Sequence, residues 1–430
     1  MLRIAIINES FHNPWFYRRW QQFAEVYKDC EVTLITPQKD YGYTSKNNTF
    51  GKAVFNTASD VDFENFHIRT INIKRVLSLG WISNNLRTIL EDVKPNIIYN
   101  IGTHLQLSLV QVIKLRNKHF RNAKLISFSM RGPAFDVNNF MNYDGSLTSF
   151  IRRRVIYYNY AKLVLNIFNK NIDAVFCHYP DAVECFKKEG YNGPIYMQTQ
   201  VGVNPEYFHE DLSARKIIRD KYKVEEDEYL FGSATRFSIA KGVDDVLNAL
   251  PTEGKWKYLL MGSGRDDEVR RIKSLIEEKG LTDKVIMTGY INLTEMPDYW
   301  NAIDCAFHVP RTSLGWVETF SIALVQAMIT KKPIIASDSG SVPYQVGPEG
   351  LIIHEGDVNE LREKILWVLD HRAEAKEIGN KMYNRANACF NTNQLNALFH
   401  ETIVHDIMNN VFDIKKSDMT KWPFYEKDLS

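Results

Sequence analysis

The chain reads as an α/β protein built of two doubly wound parallel-sheet domains facing each other across a cleft. Three observations predict this. Short apolar runs alternate with longer helical patterns, that rhythm occurs twice, and a charged stretch separates the two series. At 430 residues and 44% hydrophobic composition, the chain can bury large cores but exceeds one ordinary domain.

In the first series, RIAII (3–7), EVTLIT (31–36), NIIYNI (96–101), AKLISFS (123–129) and DAVFCH (173–178) read as strands. Runs this short and this apolar suit strands buried on both faces, and the helical stretches between several of them suit crossovers of a parallel sheet. EDLSARKIIRDKYKVEEDE (210–228) reads as a linker followed by a short solvated helix. The second series follows with YLFGSAT (229–235), WKYLLMG (256–262), KVIMTGY (284–290), DCAFHV (304–309) and KPIIASD (332–338). The expected domains are 1–205 and 206–395, with 396–430 a helical segment returning to the first domain. Ligands of such sheets bind beyond the carboxyl ends of the strands, so the cleft is the expected site.

Composition excludes several function classes. Lys and Arg number 53 against 52 Asp and Glu, a formal net charge of +1, which gives no general electrostatic case for nucleic acid. The five cysteines, Cys30, Cys177, Cys185, Cys305 and Cys389, lack CxxC or metal-finger spacing and read as buried small hydrophobes in a reducing compartment. MLRIAIINES lacks the regions of a secretory signal, and no apolar run reaches membrane-spanning length, so a cytoplasmic location is expected.

The site signals concentrate in the second series. In GWVETFSIALVQAM (315–328), Ile322, Leu324, Val325 and Met328 line one side of a helix and Glu318 stands on its entry loop. A carboxylate there either complements the helix dipole or borders an anion site. GSATRFSIAKGVDDVLNAL (232–250) leaves a strand and carries Arg236 and Lys241 in the following loop. Two cations at a strand's carboxyl end suit a diphosphate leaving group, with solvated loop cations as the plainer reading. LMGSGRDDEVRRI (260–272) adds Gly262 and Gly264, which permit close backbone approach ahead of a helix. Asp244 and Asp245 are adjacent, do not face one another on a helix, and read as solvated surface rather than a metal pair.

Taken in order, TRFSIAKGVDDVL, LLMGSGRDDE, KVIMTGYINLTEMPDYWNAIDCAFHVP, ETFSIALVQAM and PIIASDSGSVPYQVGPEGLIIHEGDVNEL resemble the nucleotide-binding half of the retaining glycosyltransferases of family 4. That family has the GT-B fold of two Rossmann-like domains. In the first domain the resemblance rests on strand rhythm and on YMQTQVGVNPEYF (196–208). It implies that Glu318 faces the transferred sugar, that Arg236 and Lys241 stabilise the leaving diphosphate, and that the N–H groups of Thr319, Phe320 and Ser321 meet that diphosphate. It implies further donor contacts at Gly232, Gly262, Gly264, Tyr290 and Ile291. Gln326, eight residues after Glu318, falls where the family holds the ribose hydroxyls with a glutamate. An amide still accepts from one hydroxyl and donates to another. Further departures are the lengthened loop RTSLGWV (311–317), Thr319 and Ser321 in place of usual glycines, and Tyr344 in place of an expected glutamate. The resemblance implies no cofactor and no metal ion.

The first domain offers acceptor candidates. His104 follows the NIIYNIG strand, near where the family often carries a histidine, and reads as a cleft-facing catalytic residue or as a packed or surface one. Arg131 in MRGPAFD reads as an anion contact or a structural loop arginine. NPWFYRRWQQF (13–23), with Trp15 and Arg18, mixes aromatic and basic groups that suit a sugar acceptor or peripheral contact with an anionic membrane at the inner face. In SFIRRRVIYYNYAKLVLNIF (149–168), Val155, Tyr158, Leu163 and Leu165 fit the buried face of an amphipathic helix. The expected function is transfer of a sugar from a nucleotide donor to a glycan or lipid-linked acceptor in surface polysaccharide or glycoconjugate biosynthesis. The alternatives are a GT-B nucleotide-sugar epimerase and a non-catalytic nucleotide-sugar-binding partner subunit.

Overall fold

The computed structural model describes residues 1–9, 14–38, 58–76, 79–102, 105–129, 158–313 and 316–411, apart from the side chains of Pro14, Trp15, Phe16 and Tyr158. The described chain divides into two compact units, changing from the first to the second at Gln200/Val201 and back again at Gln394/Leu395. The first change comes earlier than residue 205 because Val203 is already tied to the end of the second unit. Its N–H donates to the Phe390 carbonyl at 2.9 Å and its carbonyl accepts from Thr392 at 3.1 Å.

The first unit contains β1 (Leu2–Ile7), β2 (Cys30–Pro37), β3 (Val61–Asp62), β4 (Phe66–Ile71), β5 (Ile73–Arg75), β6 (Trp81–Ser83), β7 (Ile97–Ile101), β8 (Lys124–Ser129), β9 (Ala174–Cys177) and β10 (Ile195–Met197). Eight of these form one sheet in the order β10-β9-β8-β7-β1-β2-β4-β3, while β5 and β6 pair separately. All its pairings are parallel except the antiparallel edge β3–β4. Its core joins Ile4, Ile6, Trp20, Phe23, Tyr99 and Phe176 to Phe399, Ile403 and Ile407 from the far end of the described chain. Arg19, buried on the Pro14–Val26 helix, locks that return: its guanidinium donates to Asn396 Oδ1 at 2.9 Å and to the carbonyls of Thr199 and Leu395. In the Tyr158–Asn171 helix, Ala161, Val164, Leu165 and Phe168 are buried. Leu163, expected on that buried face, is 59% exposed because it sits on the other side of the turn.

The second unit holds β11 (Tyr229–Ala234), β12 (Trp256–Met261), β13 (Val285–Gly289), β14 (Cys305–His308), β15 (Ile334–Ser337) and β16 (Leu351–Ile353). They form one wholly parallel sheet in the order β13-β12-β11-β14-β15-β16. The strand order reverses between β11 and β14, the position where ligands collect in sheets of this topology. Phe231, Tyr258, Leu260 and Phe307 are buried in the sheet beneath Val246, Leu247, Ile272 and Ile365 from the covering helices. The charged segment between the two series folds as the Leu212–Lys221 helix, capped by Asp211, whose carboxylate accepts from Ser213 and Ala214. No helix among the described residues is long and apolar enough to cross a membrane.

Candidate active site

At the strand-order reversal of the second unit lies a cavity of about 360 Å³. Its walls come from the ends of β11 (Ala234), β12 (Met261) and β14 (His308), the loops after them, and the Ile322–Ile329 helix. Arg236, Lys241, Gly262, Tyr290, Ile291, Glu318, Phe320, Ser321 and Gln326 line it, so residues scattered over ninety positions meet at one site.

The backbone around the cavity is shaped by two glycines. Gly262 has φ +133°, and a Cβ there would stand 1.8 Å from the Thr235 carbonyl oxygen, so the β12 loop crosses the β11 loop at a separation that glycine permits. Gly242, at φ +69°, ends the 3-10 turn Ile239–Lys241 against the Val309 carbonyl and starts the Val243–Ala249 helix. Between these crossings Arg236 and Lys241 are delivered to the cavity by the same loop. Gly232 and Gly264 do not line it. A Cβ on Gly232 would strike Ile303 and one on Gly264 would strike Phe237, so both serve close packing.

Glu318 is the electrostatic centre. It is 6% exposed, and its Oε2 accepts from Lys241 Nζ at 2.6 Å, with His308 Nε2 at 3.6 Å. Burial alone would raise this carboxyl; the His308 imidazole and the Lys241 ammonium outweigh it and bring it down to about 2. Lys241 also lies 4.5 Å from the centre of the Trp316 ring, a cation–π contact from the lengthened loop. Arg236 is exposed and forms no ion pair among the described residues. The two cations are therefore unequal, one engaged and one open. His308 was not expected from sequence; a single histidine in the apolar run DCAFHV carries no signal until strand order places it beside Glu318.

The Ile322–Ile329 helix is capped by Ser321, whose Oγ accepts from Leu324 N at 3.3 Å. Gln345, fully buried, grips the same residue: its Oε1 accepts from Ser321 N at 2.8 Å and its Nε2 donates to the Ser321 carbonyl at 3.1 Å. The N–H of Ser321, expected to meet an anion, is thus already engaged. Thr319 also departs from expectation, since Glu318 and Phe320 line the cavity and the residue between them does not. Gln326 is 3% exposed, and its Oε1 accepts from Trp300 Nε1 at 3.0 Å. Tyr344 lies beneath the Arg385 guanidinium at 5.8 Å, and Arg385 donates to its carbonyl.

Neighbouring aspartates Asp244 and Asp245 do diverge, but neither is free solvated surface. Arg311 engages Asp245, which is 4% exposed, and Arg271 engages Asp244. Of the first-unit candidates, Arg18 donates to Glu25 Oε1 at 3.0 Å along its own helix. His104, Arg131 and the side chain of Trp15 lie outside the described residues, as do Val155 and the side chain of Tyr158.

Comparison with known proteins places this geometry. Residues 214–385 match the family described as Glycosyl transferases group 1. Over 197 residues the chain is 27% identical to the GDP-mannose-dependent monoacylated alpha-(1-6)-phosphatidylinositol monomannoside mannosyltransferase of Corynebacterium glutamicum, covering 43% of this chain and 50% of that one. The chain spans half or less of the length of the curated relatives it matches. Sucrose-phosphate synthase from Thermosynechococcus elongatus shares the fold at a TM-score of 0.68 and 19% identity, over 94% of this chain and 98% of that one. Anabaena HepE in complex with UDP and glucose does so at 0.65 and 16%, over 94% and 100%. With its two parallel α/β units the chain has the GT-B fold, and its second unit carries the match to the glycosyl transferases group 1 family.

Proposed function

We propose that the chain is a retaining glycosyltransferase that moves a sugar, a hexose or close relative, from a nucleotide-sugar donor to a glycan or lipid-linked acceptor in surface polysaccharide or glycoconjugate assembly. The observation that carries this reading is the convergence of Arg236, Lys241 and Glu318 on one cavity at the strand-order reversal. As the glycosidic bond lengthens, negative charge develops on the leaving diphosphate, and the two cations stabilise it in the role that a metal ion fills elsewhere. Glu318 is held ionised, so it accepts from hydroxyls of the transferred sugar and fixes the reacting carbon. Tyr290, 62% exposed, and the buried Ile291 offer the base an apolar wall. HepE, of related fold, is known in complex with the nucleotide sugar UDP-glucose, which supports this donor class.

The acceptor side is assigned to the first unit. Trp15 and Arg18 belong to the Pro14–Val26 helix, which follows β1, while His104 and Arg131 follow β7 and β8 in sequence. A panel of UDP-, GDP-, ADP- and CMP-sugars incubated with lipid-linked and glycan acceptors, read by mass spectrometry, tests the proposal. Transfer with retained anomeric configuration is the expected result. Binding without turnover across the panel points instead to a partner subunit, and donor conversion without acceptor to an epimerase.

A further inference from the structure

The geometry points to Trp300 as a positioning residue that fixes the amide of Gln326 so that Nε2 faces the donor, making the ribose hydroxyl an acceptor of a hydrogen bond at this site. The inference rests on the donor-site reading above and deepens it. An indole N–H donates and never accepts. Trp300 Nε1 stands 3.0 Å from the Gln326 amide inside the unit, with Trp300 2% and Gln326 3% exposed. The reversed amide would set two N–H donors against that third donor in a buried place, which an unmade hydrogen bond makes costly. The indole N–H therefore sets the orientation of the amide.

Nε2 has no partner among the described residues, and Gln326 lines the cavity that Glu318 and Lys241 share. A glutamate at 326 would present an acceptor-only group, to which ribose hydroxyls must donate. The amide held by Trp300 presents N–H donors, to which a hydroxyl oxygen accepts. The departure at 326 thus reverses the polarity of the contact, and Trp300 keeps it reversed. Trp300 also comes from a different element, the Met296–Ala302 helix, so its indole is held independently of the Ile322–Ile329 helix that carries Gln326.

Fluorine tests polarity, because it accepts weakly and cannot donate. UDP, GDP, ADP and CDP are first titrated into the full chain by calorimetry. The best binder is then compared with its analogues carrying fluorine or hydrogen in place of the 2′- or 3′-hydroxyl. For the wild-type protein, the fluoro analogue at one of these positions should bind about three- to tenfold more tightly than the deoxy analogue. In Gln326→Glu that advantage should vanish while the parent nucleotide still binds. Trp300→Phe keeps an aromatic ring and frees the amide to turn, so it should also erase the fluoro advantage; a purely structural role would lower stability and leave that ratio alone. Equal binding of fluoro and deoxy analogues by a wild-type protein that binds the parent overturns this inference alone. Failure of all four diphosphates to bind overturns the donor-site reading and this inference with it.

Discussion

Arg236 and Lys241 leave the same loop and do different work. Arg236 is exposed and unpaired among the described residues, so Arg236→Ala should weaken transition-state binding by about 2–4 kcal/mol and leave stability nearly unchanged. Lys241→Ala should show a similar kinetic loss together with a lower unfolding midpoint, because it strands the buried Glu318 carboxylate. Kinetics and urea unfolding on both variants check the contrast. Glu318 itself sets a pH dependence. Its carboxyl sits at about 2, below its ordinary 4.5, so the ionised form stabilises the fold above the ordinary value, and that stability is lost as pH falls through the lower one. The stability gap between wild type and Glu318→Gln, on the order of 2–3 kcal/mol from this linkage, should therefore narrow between about pH 4.5 and about pH 2. Urea unfolding at a series of pH values reads it; a gap constant across that window would contradict the ion pair.

At the scale of elements, the Ile322–Ile329 helix is held at its start by a side chain from elsewhere. Gln345→Leu would leave the N–H of Ser321 unmet in a buried place and its carbonyl with only the Val325 N–H at 3.4 Å, at about 1–3 kcal/mol of stability, and thermal unfolding measures it. A negligible shift would mean water replaces the amide. This grip was not legible in the sequence, where Gln345 is one polar residue in SVPYQVG and nothing indicates its reach. Most long strands were legible because both faces of a parallel sheet are covered, leaving apolar runs such as YLFGSA and CEVTLITP, whereas β4, FHIRTI, was missed because His67, Arg69 and Thr70 break its apolar run. The short β3, β5, β6, β10 and β16 were not, since two or three residues carry no period and pairing with neighbours defines them. Glu318, Arg236 and Lys241 were readable as charges beside strand ends and helix starts. His308 and Trp300 sit among apolar residues and acquire meaning only from the strand and helix set beside them.

For the molecule as a whole, every described residue lining the cavity of Glu318 and Lys241 belongs to the second unit. A fragment spanning 201–394 is therefore expected to fold around its own core and bind the same nucleoside diphosphate as the full chain, to within about threefold. Calorimetry on the fragment checks this. Binding by the full chain with none by a folded fragment would assign part of the donor site to the first unit. The first unit is less separable, because Phe399 packs on Trp20 at 5.1 Å and on Tyr99 at 5.4 Å from a helix that follows the second unit in sequence.

All five cysteines are buried and outside disulfides, Cys30, Cys177 and Cys185 in the first unit and Cys305 and Cys389 in the second. Burial keeps the Cys30 thiol protonated, up to about 12, and pushes those of Cys177 and Cys305 up as well. Alkylation requires the thiolate to attack the reagent and displace iodide, so labelling must wait for the surrounding chain to open. Iodoacetamide labelling of the native protein, resolved peptide by peptide, then acts as a pair of clocks, one for each unit. A saturating nucleoside diphosphate should slow the Cys305 and Cys389 clock and leave the other three thiols labelling at their former rate.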